Sequence, residues 1–374
     1  MWRRASSLAL LVGLLALAAC AAEERATPAP SPTGAIRPAA EQEWEKVLAA
    51  AKQEGKVAVT SWGGDQLRQA LTQPFQKKYG ITVNFIALTG GELAPRIGTE
   101  RGAGQYLWDV YVHGGSSGIT LMKPIAAFDP IEPALILPEV TEGKSWRGGA
   151  LRFNDKDRQI LTMLGYSQPG LMVNSNLAKA EDIKSYKDLL DPRWKGKLLL
   201  DDPRTTGSGQ AILALFYHHR ELGPDFIRSL AEQKPTMSRD WRQEVEWVAQ
   251  GKYPILIGAN YTLAAPLLKE GLPIQVVAPR EGGYVTSGGG TVALYNKAPH
   301  PNAAKVYINW LLTKEGQTEF ARAVALPSRR LDVPTEGMPS EMMPVEGYWA
   351  HDSEESVLST RDKVVPFLRE VFTD

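Results

Sequence analysis

Residues 191–209 read Asp191-Pro192-Arg193-Trp194-Lys195-Gly196-Lys197-Leu198-Leu199-Leu200-Asp201-Asp202-Pro203-Arg204-Thr205-Thr206-Gly207-Ser208-Gly209. The apolar run Leu198-Leu199-Leu200 between turn-forming residues predicts a short buried strand over 197–201. Hydroxyl side chains and glycines then lead into 208–222, where Ile212, Leu215 and Phe216 fall at helical spacing. Strand, polar glycine-bearing loop and helix form the repeating unit of an α/β sheet. The loop lies at the carboxyl end of the strand, where open sheets of this class bind ligands.

The same alternation extends in both directions. Upstream, Trp44, Val47, Leu48 and Ala51 predict a helix stopped by Gly55, and residues 56–61 alternate as a strand. Leu67, Leu71 and Phe75 mark a second helix closing at Tyr79-Gly80, and Ile81, Val83 and Phe85 a second strand. A helix over 92–102, a strand over 108–112 and a helix over 117–122 complete one series. The second series has strands over 169–174, 197–201 and 253–257, with helices over 183–190, 208–222 and 242–250. Two series of this length predict two α/β lobes, each with a mostly parallel sheet. No internal repeat is visible.

Composition narrows the function classes. The 374 residues carry 42 Lys and Arg against 42 Asp and Glu, which argues against a general nucleic-acid binder. A single cysteine excludes an intrachain disulfide framework and any multi-cysteine metal site. That cysteine closes a distinctive start. Arg3 and Arg4 precede an apolar run over 8–19, the layout of a secretory signal and too short to span a bilayer. The run ends in Leu17-Ala18-Ala19-Cys20, which resembles the bacterial lipobox, with Cys20 as the lipidation site. Residues 20–40, with Pro28, Pro30, Pro32 and Pro38, read as a disordered tether. Removal of residues 1–19 takes away two arginines and leaves 40 basic against 42 acidic groups.

Several segments resemble the extracellular solute-binding proteins of bacterial ABC importers, in particular the ferric-ion-type cluster. They are 191–197 with 202–209, Pro169-Gly170-Leu171-Met172-Val173-Asn174, Ser61-Trp62-Gly63-Gly64, and 303–316 ending in Thr313-Lys314-Glu315-Gly316. The resemblance implies a two-lobed periplasmic-binding-protein fold of type II, with a ligand cleft between lobes joined by two crossovers. It places one discontinuous lobe at 41–168 and 285–374 and the other at 169–284. It also implies a monomeric, extracytoplasmic receptor, lipid-anchored to a bacterial membrane, that delivers a small molecule to a permease with a separate ATPase subunit. Neither catalysis nor a cofactor belongs to that role.

Strand ends and helix starts supply the candidate ligand-binding residues: Trp62 and Gly63; His113, Gly115 and Ser116; Arg204, Thr205, Thr206, Gly207 and Ser208; Tyr261; and Ser287. Free N–H groups at a helix N-terminus suit an anion, and Arg204, Arg239 and Arg242 favour one over a cation. Thr206 or Ser208 equally serves as a helix cap. Ferric-type relatives often use adjacent tyrosines; here Asn260-Tyr261-Thr262 offers one phenol, so an iron site would rest on Tyr261 and His113. The expectation is therefore an organic anion, with ferric ion as the alternative. Ser287-Gly288-Gly289-Gly290 reads as a close backbone approach to ligand or a hinge turn.

Two enzyme motifs need weighing. Gly114-Gly115-Ser116-Ser117-Gly118 matches the hydrolase elbow G-x-S-x-G after a predicted strand, with His300 or His351 as candidate base. No glycine-rich oxyanion loop precedes it. Gly143-Lys144-Ser145 imitates the end of a phosphate-binding loop, but Pro138 stands where its first glycine is required.

Overall fold

A computed structural model describes residues 33–261, 264, 267–268, 270–351 and 354–373, with side-chain surroundings from residue 39. The expected signal, Cys20 and most of the tether lie outside the described residues. The tether is shorter than expected, because a helix already runs from Thr33 to Glu54. Ala35, Ala39 and Ala40 favour helix, and Pro38 gives up only one intrahelical donor.

The first sheet has seven strands. β1 (Lys56–Ser61) lies between β2 (Thr82–Ala87) and β3 (Val110–His113), parallel to both. Its further members are β4 (Phe128–Asp129), β5 (Arg152–Phe153) and β6 (Ile160–Thr162). β7 (Tyr166–Gln168) leaves this sheet and enters the second through β8 (Leu171–Asn174). There β9 (Leu198–Asp201) lies parallel to β10 (Thr236–Ser238) and β11 (Ile255–Ile257). β8 and β12 (Ile274–Val277) complete the five strands in antiparallel sense. The chain returns through β13 (Tyr284–Thr286) to β14 (Thr291–Tyr295), which enters the first sheet between β3 and β6. The expectation of mostly parallel sheets therefore needs correction. Outgoing β6 and returning β14 travel in opposite directions, so each pairing that β14 makes is antiparallel.

The two crossovers pair with one another. β7 and β13 form an antiparallel ladder, extended by β15 (Trp349–Ala350). Just beyond β13, three glycines let side chains press onto the backbone. A Cβ would lie 2.2 Å from the Tyr166 hydroxyl at Gly288, 1.9 Å from Trp62 Nε1 at Gly289 and 2.3 Å from Leu164 Cγ at Gly290. Trp62 Nε1 also donates to the Gly289 carbonyl at 2.8 Å. Ser287 is buried at the head of this turn, where its carbonyl accepts from Gly290 N–H.

Each lobe buries its own apolar core, and the C-terminal stretch joins them. Val357 packs with Tyr111 and Ile119 of the first lobe. Val364, Leu368 and Phe372 instead pack with Ile212, Phe216 and Ile227 of the second. The expectation that all of 285–374 belongs to the first lobe fails for this stretch, because its apolar face follows the second core. Residues 180–190 form two short 3-10 turns in place of the expected helix. The helix from Ser208 ends at His218, and another starts at Gly223.

The close approach at Gly289 predicts that Gly289→Ala lowers stability by about 1–3 kcal/mol through overpacking. Gly91→Ala is the matched control, because nothing lies within 4 Å of a Cβ there. Urea unfolding should show it neutral or stabilised by up to about 1 kcal/mol.

Candidate functional site

The site begins at the end of β9. Asp201 accepts from Gly209 N–H at 2.6 Å and from Trp241 Nε1 at 3.1 Å. A Cβ at Gly209 would lie 1.9 Å from the Asp201 carbonyl oxygen, so only glycine lets the helix start this close to the strand. Burial pushes the Asp201 carboxyl up to about 6. The helix N-terminus expected to meet an anionic ligand thus already has an internal carboxylate. Gly207 and Ser208 serve this junction, and Gly207 packs against Asp201 and Trp241.

Asp202 organises the next turn. Arg204 grips it with two donors, Nε to Oδ1 and Nη2 to Oδ2, both at 2.9 Å, and Arg239 Nε donates to Oδ2 at 2.8 Å. Despite burial, these arginines hold the Asp202 carboxyl down to about 2. Arg204 Nη1 also reaches the Phe372 carbonyl at 3.3 Å, tying the loop to the C-terminal stretch. One carboxylate thus holds two guanidinium groups at this turn.

In the first lobe, β3 delivers His113 and the loop behind it. His113 Nε2 faces the Leu88 carbonyl at 2.8 Å, and burial lowers the affinity of the ring for a second proton. It is a packed, neutral imidazole stacked on Tyr111, which removes the reason to expect it as a metal ligand. Tyr261 is corrected likewise. It is 5% exposed and packs with the first core, and burial pushes its phenol up to about 12. Trp62 is half-buried with its Nε1 on the Gly289 carbonyl, Gly63 is exposed beside Leu67, and Gly115 is buried against Asn154.

A pocket of about 230 Å³ opens between the loops. Ser116, Thr120 and Leu121 line it from the first lobe, and Arg204, Thr205, Thr206 and Gln210 from the second. Four residues singled out from sequence, Ser116, Arg204, Thr205 and Thr206, therefore share this pocket. The third wall comes from the C-terminal stretch, with His351, Thr360, Arg361 and Arg369. Arg361 Nη1 reaches the Thr120 carbonyl at 3.2 Å. Both facing segments, Gly118–Met122 and Thr360–Val364, are single π-helical turns, a distortion often found at functional sites. Among the described residues, the lining has three arginines, five hydroxyl side chains and no carboxylate. Such a wall suits an oxyanion through charge-assisted hydrogen bonds.

Nothing in the local sequence marks Arg361 or Arg369 as part of this site. A usable signal exists in the four-residue spacing of Val357, Arg361, Val365 and Arg369, which sets them on one helix face.

The hydrolase arrangement is not assembled in this pocket. His300 pairs with buried Asp109 at 2.8 Å, but Asp109 precedes β3 whereas Ser116 follows it, about 13 Å along the strand. His351 shares the pocket with Ser116, and its ring packs against Tyr284 and Trp349.

Comparison with known proteins agrees with the architecture. A family model described as bacterial extracellular solute-binding protein matches residues 70–343. An uncharacterized protein of Haemophilus influenzae is 26% identical over 283 residues, 72% of this chain and 77% of that one. The periplasmic binding protein AfuA of Actinobacillus pleuropneumoniae, with fructose-6-phosphate bound, superposes with a TM-score of 0.65 at 17% identity, covering 84% of this chain and 99% of that one. The Trichodesmium protein IdiA (FutA), in complex with iron and citrate, gives 0.68 at 18% identity, covering 85% and 99%. These likenesses establish a two-lobed periplasmic-binding fold.

The Asp202 cluster has a pH signature. Its folded pKa of about 2 lies below the ordinary value, so its stabilisation is present above about pH 4 and lost as pH falls through 2. Asp202→Asn should cost about 2 kcal/mol at pH 7, with the gap from wild type closing between about pH 4 and 2 in urea titrations.

Proposed function

This chain belongs to the bacterial extracellular solute-binding protein family, and from that premise we propose that it captures a small organic anion bearing a phosphate or carboxylate. It is a substrate-binding protein of the ABC-transporter type and works outside the cytoplasm. Among the described residues, no helix is long and apolar enough to cross a membrane.

One observation carries the ligand class: among the described residues, the pocket between the lobes is lined by Arg204, Arg361 and Arg369 with no carboxylate. Arg204 is neutralised by Asp202, whereas no ion pair with Arg361 or Arg369 is found among the described residues. An anion entering the pocket gains both charges together with the hydroxyls of Ser116 and Thr206. Burial of the Tyr261 phenol and His113 ring speaks against ferric ion as the bare ligand.

In the mechanism that follows, ligand settles on one wall and the lobes close by rotation about the paired crossovers β7 and β13. The closed form, acting as a monomer, docks on a permease whose ATPase subunit drives transport. Ligand shifts this equilibrium only through contacts made in the closed state, and pocket walls drawn from both lobes meet that requirement. Lipid on Cys20 and the following tether would hold the receptor at the membrane surface.

Native mass spectrometry with metal analysis, on protein purified from its own host, tests the ligand class. We expect an organic anionic mass and no stoichiometric iron; iron at one equivalent would overturn the reading. Arg361→Gln should weaken that anion by about tenfold or more, read by thermal shift or calorimetry. Ser116→Ala should leave any background esterase activity unchanged, and loss of such activity would favour the hydrolase reading.

A further inference from the structure

A second positively charged pocket lies on the first lobe alone and shares no lining residue with the pocket between the lobes. It has a volume of about 420 Å³ and sits at the edge of the sheet. Arg152 of β5, Arg147 and Arg329 form its charged wall.

Two consecutive buried arginines show what is unusual here. Arg330 is 3% exposed and fully matched: it grips Asp332 with Nε and Nη2, both at 2.9 Å, and Nη1 donates to the Leu312 and Glu139 carbonyls. Arg329 is 8% exposed, and Nη2 donates to the Arg147 carbonyl at 2.7 Å. Its Nε is buried with no hydrogen-bond partner, and no carboxylate pairs with it among the described residues. Its stem is held against Gly165, where a Cβ would lie 3.2 Å from Arg329 Cγ. The guanidinium is therefore fixed in place without a counter-charge.

The surrounding groups sharpen the imbalance. Burial, joined by repulsion from the neighbouring Arg152 and Arg147, lowers the Arg329 pKa to about 10. Asp155 also lines the pocket, but its carboxylate accepts from Lys123 Nζ at 2.8 Å and from the N–H groups of Gln159 and Ile160. Arg158 is paired with Glu132, and Lys156 adds a further exposed positive charge. A buried ion is tolerated when it is paired and hydrogen-bonded, and the missing partner here is an anion.

We propose that the pocket formed by Arg147, Arg152 and Arg329 is a binding site for a tetrahedral oxyanion of the phosphate class, separate from the pocket between the lobes. The anion sits against the uncompensated Arg329 guanidinium and is flanked by the two outer guanidinium groups. It supplies the counter-charge that no described residue provides.

The test uses the full chain and inorganic phosphate, with chloride at matched ionic strength as reference. Phosphate should raise the melting temperature of wild type over chloride. Arg152→Gln and Arg147→Gln, both away from the core, should each weaken the phosphate effect by about tenfold. Arg361→Gln removes a charge from the pocket between the lobes and serves as the background in which the effect is read, so that anion binding there contributes little. In that background, a phosphate effect that survives Arg147→Gln/Arg152→Gln would overturn the assignment, as would an effect present in wild type and lost on Arg361→Gln alone. Phosphatidylglycerol vesicles separate the two sources of a phosphate group. Cosedimentation abolished by Arg152→Gln assigns the site to a lipid headgroup, whereas a phosphate effect without cosedimentation assigns it to the free ion. Neither a phosphate effect nor cosedimentation in wild type would sink the proposal.

Discussion

The antiparallel pairing of β7 with β13 is the constraint on which the rest of the molecule depends. The chain passes from the first sheet to the second and back along adjacent paths, so outgoing and returning strands must run in opposite directions. That requirement inserts β14 antiparallel between β3 and β6 and makes the first sheet mixed. It also brings Trp62, Tyr166 and Leu164 onto three successive glycines, where any side chain would collide. The Ser287–Gly290 segment reads ambiguously in sequence, as ligand contact or turn; its physical role is to accept these three side chains at the crossing point.

The second organising feature is the C-terminal stretch. Its apolar residues divide between the two cores, with Val357 in one and Val364, Leu368 and Phe372 in the other. Spanning both lobes in this way carries Arg361 and Arg369 to the pocket and lets Phe372 accept from Arg204. The pocket owes most of its positive character to this stretch. The loop after β9 contributes less than its composition suggests, because Asp201 satisfies the helix N-terminus and Asp202 neutralises Arg204. Carboxylates directly preceding a hydroxyl-rich, glycine-rich loop turn its electrostatics inward. Anion recognition then falls to side chains from elsewhere in the chain.

The architecture was largely legible. Short apolar strands followed by Gly, Ser and Thr and then by helical spacing identify an α/β protein with two series, and the segments at 61–64, 169–174, 191–209 and 303–316 identify the family. The strand at 197–201 and the helices near Leu67 and Trp241 sit where the periodicity predicts. Ser116, Arg204, Thr205 and Thr206 reach the pocket because position after a strand is a local property. Tyr261 and His113 do not, because residue chemistry cannot report which way a side chain turns at a strand end. His113 turns to the Leu88 carbonyl, and Tyr261 enters the core.

The sequence by itself determined the local order: the signal-like start with its single cysteine, the two αβ series, and the strand-end loops that could hold a ligand. These depend on spacing over a few residues, which side-chain periodicity records directly. Only the tertiary structure decided which charges face a ligand and which face each other. Asp202 against Arg239 and Arg361 across from Thr120 are pairings set by the folded path over tens to hundreds of residues, as is the absence, among the described residues, of a carboxylate at Arg329. Electrostatic balance depends on distance in space, and a chain of balanced total charge contains no record of where its surplus will gather.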